Sequence, residues 1–259
     1  MNSVRVHRVV EGPETGPAVV LSNSLGSDHR MWVPQVAPLT ERGFRVVRYD
    51  TRGHGASPVP AGPYDLADLG GDVLALLDDL GVERAHFVGL SLGGMTGMWL
   101  GAHAADRLSS LTLCCTSASL GPAQMWADRA RTVRAEGTRS VAEAGVGRWV
   151  TPGYAQAHPE QVAYLREMIE AQSDEGYAEC CSAIERMDLT GDLPKISVPT
   201  LVIAGAEDPS TPPETHGKVI ADGVPGARLE VVASAAHLGN YEQPEAFSRL
   251  ILGQLEAAR

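Results

Sequence analysis

The stretch that decides the fold is His86-Phe87-Val88-Gly89-Leu90-Ser91-Leu92-Gly93, in which an apolar run leads to a serine between glycines. The run before the serine is typical of a buried strand, and a helical pattern follows. A serine at such a strand-to-helix turn is held in a strained conformation that projects its hydroxyl out of the sheet. Small residues at Gly89 and Gly93 let the strand and the helix approach closely. The pattern predicts Ser91 as a nucleophile; a glycine-rich packing turn is the alternative.

A serine hydroxyl near neutral pH needs a base, and the base needs an acid that orients it. With this kind of turn, the acid and then a histidine are expected later in the chain, each after a strand. Asp208 follows the predicted strand 200–203, and His237 follows the predicted strand 229–232. We therefore predict Asp208 and His237 as the partners of the serine, with Glu207 as the alternative acid.

Acyl transfer passes through an oxyanion, which needs two preorganised N–H donors. One donor is expected to be the amide of Leu92, where the helix after the serine begins. The other is expected from Ser22-Asn23-Ser24-Leu25-Gly26, the loop after the predicted strand 18–21, with Leu25 as the candidate. An ordinary turn rich in Ser and Asn is the alternative for this loop. His54, in a glycine-rich loop after another strand, is expected to brace the site rather than react.

Strand and helix patterns alternate along most of the chain. Apolar runs predict strands, the first of them an antiparallel edge strand, at 4–10, 18–21, 45–49, 86–88, 108–116, 200–203 and 229–232. Amphipathic helices are predicted over 65–80 and from Pro244 onward. This order predicts an α/β fold with a mostly parallel sheet covered by helices on both faces. The stretch 121–191 has helical patterns only, so we predict a helical lid there, with 1–120 and 192–259 as the core.

Composition excludes several classes of protein. The 259 residues carry a formal charge of −11 and are 44% hydrophobic, which fits a globular protein and argues against a nucleic-acid partner. A signal peptide and a membrane span are not expected, and the cysteines are read as reduced thiols, so the location predicted is the cytoplasm. The chain has no dinucleotide or phosphate-loop motif and no metal-ligand spacing, so neither a cofactor nor a metal is expected.

The nucleophile turn, the late acid and histidine and the helical insertion together resemble the α/β-hydrolases. More narrowly, the chain resembles the 3-oxoadipate enol-lactone hydrolases of the β-ketoadipate pathway, which degrades aromatic compounds. The similarity covers nearly the whole chain and is clearest in Leu21-Ser22-Asn23-Ser24-Leu25-Gly26, Arg48-Tyr49-Asp50-Thr51-Arg52-Gly53-His54-Gly55, Gly89-Leu90-Ser91-Leu92-Gly93-Gly94-Met95-Thr96-Gly97, Asp208-Pro209-Ser210-Thr211-Pro212-Pro213 and Ala236-His237-Leu238-Gly239-Asn240-Tyr241-Glu242-Gln243-Pro244. The resemblance implies the α/β-hydrolase fold with a mostly parallel eight-stranded sheet and a helical lid.

The resemblance also implies an activity, the opening of 3-oxoadipate enol-lactone to 3-oxoadipate through an acyl-enzyme. This small anionic substrate carries a carboxylate, and a protein of this net charge needs a local cation to receive it. The predicted lid offers Arg129, Arg131, Arg134 and Arg148, among which Arg148 and Arg131 are taken as candidates. Trp149 is the candidate for a pocket wall, and a homo-oligomer is left open.

Two other functions fit the same residues. A broad carboxylesterase or perhydrolase of this fold would carry the same triad and oxyanion loop. A lidded binding protein that keeps the triad for recognition is the alternative outside catalysis. Comparing turnover of the lactone with turnover of a simple ester distinguishes the lactonase from the broad carboxylesterase. Labelling of Ser91 by a fluorophosphonate distinguishes an enzyme from a binding protein.

Overall fold

The computed structural model describes residues 3–258, in which seven strands form one sheet. The strands are β1 (Arg8–Glu11), β2 (Ala18–Ser22), β3 (Arg45–Tyr49), β4 (Ala85–Leu90), β5 (Leu108–Cys114), β6 (Thr200–Gly205) and β7 (Arg228–Val232). Their order across the sheet is β1-β3-β2-β4-β5-β6-β7, antiparallel between β1 and β3 and parallel elsewhere. The strand order reverses between β2 and β4, which is where open α/β sheets bind ligands. The predicted fold class is confirmed.

The strand count differs from the eight that the resemblance implies. Each of the seven segments with a strand pattern forms one strand, and the described residues contain no eighth. The first strand is also shorter than the predicted 4–10. The amide of Val4 donates to Oδ1 of Asp72 at 2.7 Å, and that of His7 donates to the Ser57 hydroxyl at 2.8 Å. These two amides therefore do not pair with a neighbouring strand, and the register with β3 runs from Arg8 to Glu11.

Helices cover the sheet in two layers. The core helices are α1 (Val33–Glu41), α2 (Leu66–Asp79), α3 (Leu92–His103), α9 (Lys218–Gly223), α10 (Gly239–Glu242) and α11 (Pro244–Ala257). Asp65 begins α2 through a capping box with Asp68, as the predicted N-terminus requires. Contacts join α2 to α3 and α1 to α11. Within residues 3–258 no helix is long and apolar enough to cross a membrane.

Five helices occupy the segment between β5 and β6. They are α4 (Ala123–Glu136), α5 (Arg139–Trp149), α6 (Pro152–Ala157), α7 (Pro159–Glu170) and α8 (Asp174–Arg186). A bridge between Ser119 and Asp188 joins the two ends of the segment. Gly53 and Gly176 bring it close to the core, since a Cβ on Gly53 would lie 2.5 Å from the Cα of Gly176. The segment falls within 121–191, and its role as a lid remains a prediction.

Candidate active site

Ser91 lies at the turn between β4 and α3, with φ 56° and ψ −115°, a strained conformation for a residue with a side chain. A Cβ on Gly89 would lie 2.2 Å from the carbonyl oxygen of Gly93, and one on Gly93 would lie 2.3 Å from that of Ser22. The hydroxyl of Thr116 donates to the Ser91 carbonyl at 2.7 Å. Both flanking glycines are therefore required by the turn, and the turn itself is fastened to the segment after β5.

Asp208 and His237 lie in the loops after β6 and β7, and their side chains are in contact. Nδ1 of His237 is 2.8 Å from Oδ2 of Asp208, and both residues are buried. The loops approach closely because β6 ends in Gly205, where a Cβ would lie 2.4 Å from the carbonyl oxygen of Ala236. Glu207, the alternative acid, is exposed. The fold thus gives His237 the carboxylate partner expected from the order of residues.

The environment of Asp208 keeps its carboxylate ionised. Oδ2 also accepts the Thr211 hydroxyl at 2.7 Å, while Oδ1 accepts the amides of Ser210 at 2.8 Å and Thr211 at 3.1 Å. Burial works to raise the pKa of Asp208, but the charge and hydrogen bond of His237 and the bonds from Thr211 outweigh it and lower the pKa to about 2. The carboxylate can therefore orient the imidazole and stabilise its protonated form.

The end of β5 connects Ser91 to the histidine loop. The amide of Ser91 donates to the carbonyl of Cys114 at 3.0 Å. The thiol of the next residue, Cys115, lies 3.8 Å from the carbonyl oxygen of Ala236, which immediately precedes His237. Since Nδ1 of the imidazole is bonded to the carboxylate, Nε2 is the nitrogen left to serve a nucleophile.

The loop after β2 lies beside the first turn of α3. Residues Ser22 and Gly89 are register partners in neighbouring strands, and the amide of Gly93 donates to the carbonyl of Asn23 at 2.9 Å. In residues 3–258, the amides of Leu25 and Leu92 make no hydrogen bond to another protein group. Two such donors on adjacent segments are what an oxyanion requires.

His54 holds the loop after β2 in place through a hydrogen bond. Its Nε2 accepts the amide of Gly26 at 3.0 Å, and its Nδ1 faces the carbonyl of Arg52 at 3.4 Å. Burial lowers the pKa of His54 to about 4, so the imidazole is neutral and Nε2 can accept a hydrogen bond. The residue after Leu25 is thereby held in place at a φ of 81°.

The α5 end of the helical segment touches the histidine loop. The carbonyl of Trp149 accepts the amide of Leu238 at 2.7 Å, and the Trp149 side chain is buried. The backbone of Trp149 thus contacts the residue after His237, and a place for its side chain in a pocket wall remains a prediction.

The predicted arginines divide into two groups. Arg131 pairs with Asp128 at 2.7 Å and is 71% exposed, and Arg134 pairs with Glu175 and Glu179. Arg129 and Arg148, by contrast, form no ion pair with a carboxylate in the described part of the chain. Burial and the neighbouring charge of Arg129 lower the pKa of Arg148.

Tyr177 lies close to both of these arginines and to the candidate oxyanion loop. The guanidinium of Arg129 lies 5.6 Å from the centre of the buried Tyr177 ring, and its Nε is buried without a partner. A Cβ on Gly26 would lie 3.0 Å from the edge of the same ring. In the sequence, Tyr177 is marked only as an aromatic residue within the predicted lid, which does not indicate its place beside the candidate oxyanion loop.

A cluster of possible metal ligands also forms, although no spacing in the sequence predicted one. Ligand atoms of His7, His29 and Asp50 lie within 4.8 Å of one another. The Asp50 carboxylate already accepts the amide and Nδ1 of His29 and the amide of Ala56. These contacts explain the cluster as a hydrogen-bonded anchor for the β3 loop.

Comparisons with known proteins agree with this geometry. Residues 17–244 match the alpha/beta hydrolase fold family. The chain is 43% identical to 3-oxoadipate enol-lactonase 2 of Acinetobacter baylyi over 93% of this chain and 89% of that one. The chain belongs to the α/β-hydrolase family. At this identity and coverage it belongs, within that family, with the 3-oxoadipate enol-lactonases, as the sequence resemblance predicts.

Solved structures place this α/β-hydrolase in the same group. The crystal structure of the enol-lactonase from Burkholderia xenovorans LB400 has a TM-score of 0.94 and 43% identity, covering 97% of this chain and 96% of that one. A thermophilic esterase from Thermogutta terrifontis has a TM-score of 0.91 and 32% identity, covering 98% of this chain and 94% of that one. The protein is therefore a hydrolase, with an esterase among its structural relatives.

Proposed function

We propose that this hydrolase opens 3-oxoadipate enol-lactone to 3-oxoadipate through an acyl-enzyme on Ser91, within the β-ketoadipate pathway. The observation that carries the proposal is the 2.8 Å contact of His237 with Asp208, in a fold that also holds Ser91 at positive φ in the turn after β4. The similarity to proteins named as enol-lactonases supports the substrate.

The nucleophile acts first. Nε2 of His237 takes the hydroxyl proton as Oγ of Ser91 attacks the lactone carbonyl. Asp208 stays ionised throughout and stabilises the imidazolium, which its pKa of about 2 supports. The amides of Leu25 and Leu92 donate to the oxyanion, and their lack of other acceptors supports this role.

Collapse of the intermediate opens the ring. The carbon–oxygen bond of the ring breaks, and the enolate oxygen takes the proton from His237. The enol then tautomerises to the ketone, which makes ring closure unfavourable. Water, deprotonated by the neutral His237, attacks the acyl-enzyme and releases 3-oxoadipate with Ser91 restored.

The free carboxylate of the substrate meets Arg129 and Arg148. Two half-buried guanidinium groups without a carboxylate partner, one aromatic ring from the oxyanion loop, favour an anion there. This replaces Arg131, whose ion pair and exposure fit a surface residue. Trp149 forms part of the wall between the arginines and His237, and the helices of 121–191 serve as the lid.

Loss of the ultraviolet absorbance of the enol-lactone tests the proposal directly. Ser91→Ala and His237→Gln are expected to lower kcat by about 10⁶, the scale seen when such units are broken. Both variants should remain folded, because both positions lie in turns. Faster turnover of p-nitrophenyl acetate than of the lactone by the wild type would instead favour a broad carboxylesterase. Cytoplasmic location and a homo-oligomer stay predictions from the sequence.

A further inference from the structure

Glu242 is a buried carboxylate that bridges two parts of the molecule. Its Oε1 accepts the amide of Thr151 at 3.1 Å and also the Thr151 hydroxyl. Its Oε2 accepts the amide of Ala236 at 2.8 Å. One end of the carboxylate thus holds the junction between α5 and α6, and the other holds the backbone immediately before His237.

In residues 3–258 Glu242 forms no ion pair, and its partners are the three N–H and O–H donors of Thr151 and Ala236. Burying an ionised carboxylate costs free energy even when it is hydrogen-bonded, and apolar residues fill space at lower cost. A role in positioning neighbouring groups therefore explains a carboxylate at this place better than a role in packing does.

Hydrogen bonds hold the backbone on both sides of His237, the candidate base. On the other side of His237, the amide of Leu238 donates to the carbonyl of Trp149 at 2.7 Å. Both peptide neighbours of His237 are therefore fastened to the short segment 149–151, one directly and one through Glu242. The backbone of the histidine and the end of α5 cannot shift independently while these bonds hold.

We propose that Glu242 is a positioning residue that fixes the His237 imidazole relative to Ser91 by tying it to the α5–α6 junction. This inference rests on the proposed role of His237 as the base. It adds a fourth side chain to the machinery, one that touches neither the substrate nor the reacting atoms.

Glu242→Gln tests the bridge. An amide keeps the size of the side chain but turns an NH₂ group toward one of the N–H donors, so one end of the bridge is lost. A displacement of about 1 Å at a reacting group can cost about 100-fold in rate, so we expect kcat to fall about 10- to 100-fold. KM should change less than about twofold, because ground-state binding does not use the base.

Rates are expressed per active site, counted by labelling to completion with a fluorophosphonate. A residue that only stabilises the fold would lower the number of labelled sites and leave kcat per site unchanged. Glu245→Gln is the matched control, since it removes the same charge from an exposed position nearby.

Thr151 supplies the second test. Thr151→Val removes the hydroxyl donor and should lower kcat per site about 3- to 10-fold, while Thr151→Ser retains the donor and should restore the rate. The same hydroxyl accepts the amide of Tyr154 at the start of α6, so the count of labelled sites again separates folding from rate.

The outcomes are distinct. Glu242→Gln and Thr151→Val with wild-type kcat per site would overturn the inference while the proposed function stands. A wild-type protein that neither labels nor hydrolyses the lactone would overturn the proposed function, and the inference with it.

Discussion

Ser91 adopts a backbone conformation that residues other than glycine avoid, and such strain costs of order 1–3 kcal/mol. Ser91→Gly is therefore expected to raise the free energy of unfolding by about 1 kcal/mol while abolishing activity, after allowance for the extra flexibility of glycine in the unfolded chain. Urea unfolding measures the change. Ser91→Ala is the control, because it loses the hydroxyl but keeps the strain. Equal stability of the two variants would contradict the prediction.

His54 predicts a pH dependence of stability. Its pKa is 6.5 ordinarily and about 4 in the folded protein, so the unfolded chain binds the proton first as the pH falls. The free energy of unfolding should therefore drop by about 3 kcal/mol between about pH 6.5 and pH 4, at 1.36 kcal/mol for each pKa unit of difference. The Asp208 contribution, whose folded pKa is lowered to about 2, is lost only below about pH 4, so it does not overlap.

His54→Gln checks this assignment. Its side-chain carbonyl can still accept the amide of Gly26, but it does not titrate. Urea unfolding at several pH values should show a shallower loss of stability for the variant over that window. A variant that loses as much stability as the wild type would show that another group carries the effect.

At the scale of residues, the sequence predicts the proposed triad more completely than it predicts the pocket. Ser91, Asp208 and His237 could be proposed from the sequence because a strained turn and two strand ends restrict where such residues can stand, and the structure shows the contact of Asp208 with His237. Glu242 was missed, because a glutamate a few residues before a proline has no pattern that reports the burial of its carboxylate. The donors at one end of the carboxylate, the amide and hydroxyl of Thr151, come from a segment 91 residues away in the chain.

At the scale of elements, the two helices α4 and α5 each contribute one arginine to the proposed carboxylate site. Arg129→Gln and Arg148→Gln are expected to raise KM for the lactone about 10- to 100-fold each, the range for loss of a hydrogen bond to a charged group. Turnover of p-nitrophenyl acetate, which lacks the carboxylate, should change little. Arg131→Gln is the control, because Arg131 lies on α4 with Arg129 but outside the proposed carboxylate site. A similar rise in KM for the neutral ester would show that the arginines shape the pocket instead.

The choice between Arg129 and Arg131 depends on which face of α4 each residue lies on, which the sequence alone did not settle. Two residues along a helix differ by about 200° in direction, so only one of the two can face the core. The buried residues Trp126, Ala130 and Val133 mark that face, and Arg129 lies beside it. The apolar spacing was present in the sequence, but the helix bounds were needed to use it. Strand positions could be predicted with less information, because strands such as β2 and β4 are buried on both faces and so appear as continuous apolar runs.

At the scale of the whole molecule, the sheet order brings together loops that are far apart in the chain. The reversal between β2 and β4 sets the loop of Leu25 beside the turn of Ser91, and β5 to β7 then bring Asp208 and His237 to the same edge. The alternation of strands and helices predicted a mostly parallel sheet, and the order of the strands within it comes from the structure. The eighth strand came from the resemblance alone, and the residue patterns, which support seven, were the better guide.

Net charge gives the last prediction. A protein of charge −11 repels an anionic lactone at long range, while the two arginines attract it at short range. Salt shortens the Debye length from about 30 Å at 0.01 M to about 8 Å at 0.15 M, which screens the diffuse surface charge more than a half-buried pair. We expect kcat/KM for the lactone to rise about twofold over this range, with that for p-nitrophenyl acetate unchanged. A fall would mean that attraction by Arg129 and Arg148 extends beyond the pocket and governs the encounter.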